Sequence, residues 1–206
     1  MKNKTYVILI GSVARDDFET ESDIDICRIN NFNNIEKLPF WPNGPISYID
    51  YEFTDFMHLY NLGSLFIFHM FREGTLLLGN NSDWNKLKFN FKVQQNFHEE
   101  LLNIKNITEI FKNIEIFGGK YLSMYSNFYT LIKNFSIFFL ADNKIYNFNK
   151  KKAISAVFGE TYIDILIDSY NYFERGIVNT KWDYGNKEQA KKIVEYYLVK
   201  MEEILK

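Results

Sequence analysis

Gly11-Ser12-Val13-Ala14-Arg15-Asp16-Asp17-Phe18-Glu19-Thr20-Glu21-Ser22-Asp23-Ile24-Asp25-Ile26 is the stretch on which the reading of this chain turns. Residues 22–29 alternate Asp23, Ile24, Asp25, Ile26 with a period of two, the pattern of a β-strand. Side chains two apart share a face, so Asp23 and Asp25 project together from Cα atoms about 6 to 7 Å apart, while Ile24 and Ile26 anchor the strand from the other side. Residues 6–10 form a short apolar run ending at Gly11, which reads as a buried strand. A glycine there lets a phosphate approach the backbone, and the Ser12 hydroxyl and the following amides can donate to it. Arg15 adds a cation nearby. The two carboxylates make a hard-oxygen site suited to Mg²⁺ (or Mn²⁺), which binds carboxylates together with triphosphate oxygens and waters. A third carboxylate on the neighbouring strand would let two cations sit about 3.5 to 4 Å apart.

Outward from this stretch the chain shows two textures. After a polar, proline-marked connection over residues 30–45, residues 46–53 read as a third strand, on which Asp50 and Glu52 share a face. Residues 56–73 keep helical spacing up to Gly74, with Asp55 placed to cap them, and residues 75–78 could add a last short strand. From residue 91 onward the periodicity is near 3.6, over residues 97–111, 121–140, 150–158, 161–173 and 187–205. The expectation is an α+β protein: a small mixed sheet with helices over residues 1–85, then an all-α helical bundle over 91–206, with residues 121–140 the most buried helix.

Composition narrows the function classes. The 206 residues are 47% hydrophobic and 18% aromatic, enough to bury a sizeable core. The net charge of −2 is interspersed along the chain, which gives no electrostatic footprint for duplex nucleic acid. The single cysteine, Cys27, reads as a small buried apolar residue, and no Cys/His cluster has zinc-like spacing. Residues 1–10 lack a signal-peptide pattern, and the most apolar run, residues 135–141, is too short to span a bilayer. A cytoplasmic protein that does not enter the membrane is therefore expected. Of the three histidines, His69 reads as a hydrogen-bonded core residue and His98 as a solvated helix start. Tyr121, Tyr125 and Tyr129 read as core packing.

Gly11-Ser12 followed by Asp23-x-Asp25 resembles the signature of the DNA polymerase β superfamily of nucleotidyltransferases. Ala14-Arg15-Asp16 and Ser22-Asp23-Ile24-Asp25 look like its small bacterial members, and Arg72-Glu73-Gly74-Thr75-Leu76-Leu77 is similar to the ending of that domain. The resemblance implies an enzyme that transfers a nucleoside monophosphate from an NTP, ATP first among them, to a hydroxyl by a two-metal mechanism. It implies Asp23, Asp25 and a third acid as catalytic metal ligands, with Gly11, Ser12, Arg15 and Ser22 on the nucleotide. Ile49-Asp50-Tyr51 fits the family's apolar-flanked acid best, so Asp50 is the third ligand expected and Glu52 the fallback. The acceptor would be a small molecule, as in antibiotic-resistance enzymes with similar helical domains, or a protein, as in minimal nucleotidyltransferase antitoxins. The alternative is an antitoxin-like or catalytically silent module that docks a partner protein. Helical HEPN ribonucleases often accompany such proteins, but no histidine follows His98 to complete their Arg-x(4–6)-His motif. Family members commonly carry a helix ahead of the first strand; with none in this sequence, a helical half or a second subunit, as in a homodimer, is expected to cover that face. The general base is expected from the helical half, among Glu99, Glu100, Glu109 and Glu115, with Glu109 slightly preferred.

Overall fold

The computed structural model describes residues 4–206; Met1, Lys2 and Asn3, part of the segment read for a leader, lie outside the described residues. The protein is α+β, with a four-stranded mixed sheet followed by an all-helical part. It divides into two compact units, one ending at Gln94 and the other beginning at Gln95.

In the first unit, β1 (Tyr6–Ile10), β2 (Ile24–Ile29), β3 (Ile46–Tyr51) and β4 (Thr75–Leu78) lie in the order β3-β2-β1-β4. β1 runs antiparallel to β2 and β4, and β2 runs parallel to β3. Strand alternation splits the apolar residues between two cores. Tyr6, Ile8, Ile10, Cys27 and Ile29 pack on one face with Phe53, Phe56, Ile67, Met70, Phe71 and Trp84. Those partners come from α2 (Phe53–Asn61), α3 (Leu65–Glu73) and α4 (Asn81–Asn90). Val7, Leu9, Ile24 and Ile26 pack on the other face with Val13 and Trp41, flanked by Ala14, Phe18 and Ile35. The chain's own connections therefore cover this second face.

Local differences from the sequence reading have tertiary causes. β3 stops at Tyr51, because Phe53 turns into the core and starts α2; Asp55 then sits in the first helical turn rather than at the cap. The single helix read over residues 56–73 is two, interrupted where the Gln94 N–H donates to the Gly63 carbonyl at 2.9 Å. Residues 81–90, read as part of a boundary, form α4, capped by the Asn80 side chain and tied into the first core by Trp84.

The second unit contains α5 (His98–Thr108), two 3₁₀ turns (Glu109–Lys112 and Ile114–Phe117), α6 (Tyr121–Asp142), α7 (Lys150–Phe158), α8 (Ile163–Arg175) and α9 (Lys187–Ile204). The α6 helix is central: Met124, Tyr125, Phe128, Ile132 and Phe135 are fully buried, and it packs against α5, α7 and α8. Tyr121, Tyr125 and Tyr129 all point into this core, and burial pushes the phenols of Tyr125 and Tyr129 well above their ordinary range. Asn149 and Asn186 cap α7 and α9 by accepting from the amides of Lys152 and Gln189. Among the described residues no helix is long and apolar enough to cross a membrane. Truncating Ile132, which is 0% exposed, to alanine should cost roughly 3 kcal/mol of unfolding free energy through lost transfer and a residual cavity. Denaturant titration should show this loss, whereas Ile107→Ala, at 56% exposure, should shift stability by less than about 0.5 kcal/mol.

Candidate functional site

The site is built where β1 ends and β2 begins. Ile10 pairs with Asp25 across the antiparallel ladder, and the chain then turns at Gly11 into the short helix α1 (Gly11–Arg15). Gly11 has a φ of +73°, and a methyl group in its place would run into Asp25 Oδ2. Both facts demand glycine. The absent side chain leaves room for the Asp25 carboxylate directly against the backbone that leads into Ser12. Asp23 lies one residue ahead of β2, held by the Ile24 N–H donating to the Pro45 carbonyl at 2.9 Å. Gly44 packs so tightly on Ser22 that a methyl there would strike the Ser22 carbonyl, which fixes the entry to β3 against the residue before Asp23. Ser22 itself is buried, and its Oγ accepts from the Glu19 N–H at 2.8 Å. Expected on the nucleotide, it closes a turn.

Arg15 is held from two sides. Its Nε donates to Asp17 at 3.2 Å and its Nη1 to Glu73 Oε2 at 3.2 Å. His69, one turn earlier on α3, reaches the same Glu73 oxygen at 3.2 Å. Burial raises the proton affinity of Glu73, but His69 and Arg15 together outweigh it and hold the carboxyl below its usual range. The ionised Glu73 therefore holds the Arg15 side chain at the end of the short helix that Gly11 and Ser12 begin. His69, expected as a hydrogen-bonded core residue, has Glu73 as its partner, and the i, i+4 spacing of the two is the signal that joins them.

The strand register separates Asp50 from this group. In the parallel β2–β3 ladder Asp25 stands opposite Ser47, and Asp50 stands opposite Arg28. Opposed residues share a face and successive residues alternate. Asp25, Cys27, Ser47 and Ile49 thus lie on the face of the first core, and Ile26, Arg28, Tyr48 and Asp50 on the other. Asp50, expected as the third metal ligand, is on the wrong face, and Glu52 has the same parity and lies beyond the end of β3. Asp50 instead accepts both Arg28 Nε and Nη2, each at 2.7 Å. The same guanidinium donates from Nη1 to the carbonyls of Phe32 (3.0 Å) and Asn33 (2.9 Å), and stacks 3.8 Å from the centre of the Tyr48 ring. Hydrogen bonding to Arg28 holds the Asp50 carboxyl below the usual carboxylate range. Among the described residues no three or more His, Cys, Asp or Glu side chains are placed to hold a metal ion. The expected two-metal centre of Asp23, Asp25 and Asp50 is therefore not assembled among the described residues.

Cys27, buried beside this strand, is inert: burial, with Asp50 adding to it, pushes its thiol up to about 12. In the second unit Glu109, the preferred general base, is gripped by Lys105 at 2.7 Å and Lys112 at 2.6 Å. Those bonds hold its proton affinity down, the wrong direction for a base. Glu115 is paired with Lys187. A groove of about 330 Å³ lies along α9, lined by Phe111, Ile114, Val194 and Leu198, with Lys112 and Glu202 among its polar lining. It gathers no cluster of reactive groups.

No family model matches the chain, and no curated protein matches it. Among solved structures, the chain is similar to a nucleotidyltransferase-like protein from Exiguobacterium sibiricum 255-15, at 13% identity and a TM-score of 0.39, over 99% of this chain and 69% of that one. At that level of overlap the likeness bears on neither activity nor ligand.

The Arg28–Asp50 pair has a pH signature. Asp50 has a lowered folded pKa, so its contribution is present above the unfolded aspartate value, about 3.9, and is lost as pH falls through the folded value. Asp50→Asn should lower stability at neutral pH, and the gap to wild type should narrow as pH falls below about 4. Urea titrations across that range measure it.

Proposed function

We propose that the first unit is a nucleotidyltransferase domain that binds an NTP, ATP being the first to test, and passes its nucleoside monophosphate to a hydroxyl of an acceptor. The observation that supports this most directly is the seating of Asp25 against Gly11 at the head of Ser12, with Arg15 held by Glu73 at the end of the same short helix. The Ser12 hydroxyl and the first-turn amides of α1, which have no intrahelical acceptor, are donors for phosphate oxygens. Arg15 adds charge where negative charge grows on the transferring phosphoryl group, the main demand of such transfers. Asp23 and Asp25 would hold a divalent cation (Mg²⁺ or Mn²⁺), which when bound supplies further neutralisation of the triphosphate. In the transfer an acceptor oxygen forms a bond to the α-phosphorus, the bond to the bridging oxygen breaks, and pyrophosphate leaves; the acceptor proton goes to a base.

The acceptor in this reading is a small molecule or a protein side chain, and its chemistry comes from outside the groups just named. A second reading has its own observation. With Asp50 bound to Arg28 and Ser47 opposite Asp25, the chain is also suited to a module that binds nucleotide or docks a partner protein without transfer.

The test is isothermal titration with ATP and Mg²⁺, followed by transfer of label from α-³²P-ATP to components of a cell extract. The expected result is Mg²⁺-dependent binding and label transfer that disappear in Asp25→Asn and Asp23→Asn while both variants keep the wild-type melting temperature within a few degrees. Binding without label transfer would favour the silent module, and absence of Mg²⁺-dependent nucleotide binding would reject the transferase reading and leave only partner docking. Gly11→Ala should lose binding outright, since the methyl group occupies the space of Asp25 Oδ2.

A further inference from the structure

We infer that Ser47 stands in the third-ligand place of the site, and that the serine there leaves the protein with one cation fewer than an acidic residue would give. The inference rests on the nucleotidyltransferase reading for the identity of the ligand, but its geometry comes from the sheet. Ser47 is the residue of β3 opposite Asp25 in the parallel ladder, so both side chains leave the same face of the sheet. Neighbouring strands lie about 4.8 Å apart. Carboxylates facing each other across that gap could bridge cations about 3.5 to 4 Å apart, the spacing of two-metal centres.

No other acid on β3 competes for the place. Asp50 is three positions further on, about 10 Å at the strand rise, on the opposite face and bonded through both oxygens to Arg28. Its neighbour by parity, Glu52, is the residue ahead of α2 and outside the strand. On α3, Glu73 is already bonded to Arg15 and His69. A hydroxyl at position 47 carries no charge at neutral pH and is a weak ligand for Mg²⁺ compared with a carboxylate. Ser47 is exposed, so a carboxylate substituted there displaces no core residue.

The experiment counts Mn²⁺ bound per full-length chain by electron paramagnetic resonance, in the presence of α,β-methylene-ATP, for wild type, S47D, S47N and D50N. The expected result is one more Mn²⁺ in S47D than in wild type, with S47N and D50N unchanged. S47C provides a second route: it should gain one Cd²⁺ through its thiolate, because the native Cys27 is buried. An equal count in wild type and S47D, together with no gain of Cd²⁺ in S47C, overturns the inference. So does a loss of one Mn²⁺ in D50N, which would return the third-ligand role to Asp50. A wild-type chain that binds no Mn²⁺ and no nucleotide, beside an S47D chain that binds Mn²⁺, would sink the nucleotidyltransferase reading and leave the assignment of position 47 standing.

Discussion

The parallel pairing of β2 with β3 is the constraint from which the rest of the first unit follows. One register decides three things together: it sets Asp25 beside Ser47, Arg28 beside Asp50, and Ile24 and Ile26 beside Ile46 and Tyr48. A slip by one residue would invert every side chain of β3 and exchange the two cores. Two features hold the register. At one end Gly44 lies against Ser22 with no room for a side chain. At the other the Arg28 guanidinium is satisfied by two carboxylate oxygens and two loop carbonyls.

A buried arginine is tolerated only when its donors and charge are met. The Arg28 side chain is 7% exposed, yet its planar fork finds a bidentate carboxylate, two carbonyls and an aromatic face. Removing one partner would leave the other charge poorly compensated, which costs more than the intact pair contributes. Asp50 is therefore committed to structure. Glu73 plays a comparable part on the other side of the sheet, where its charge is shared between Arg15 and His69. Asp25, by contrast, seats its carboxylate against Gly11 at the head of Ser12.

Much of this was legible in the residues, and the failures are informative. The alternation of Asp23 to Ile26 gives the strand and its two faces without any partner, because strand parity is a local property. Helical periodicity located α6 and α7 closely, since a long apolar stripe needs only its own sequence to show. Asp50 was misread because parity within one strand does not reveal which residue of the next strand it meets. Arg28 held the missing signal: a cation on a strand otherwise apolar at positions 24, 26 and 29 has to find an acid on a neighbour. Ser47 carried no chemistry of its own to attract notice, and only the ladder gives it meaning. The break at Gly63 and the helix at residues 81–90 depend on contacts with distant segments, which periodicity cannot register.

The layer formed by residues 30–45 gives the sheet an asymmetric vulnerability. On one face the apolar strands are roofed by helices with their own hydrogen-bond ladders. On the other they are roofed by irregular chain carrying Trp41 and Ile35, tied down by the Arg28 donors to Phe32 and Asn33. Such a cover can lift without unfolding the sheet, at a fraction of the global free energy. Lifting would bare Val7, Leu9, Ile24 and Ile26 as a contiguous sticky strip on two adjacent strands. The Arg28–Asp50 pair thus helps hold this cover down, and protonation of Asp50 at low pH would weaken that hold.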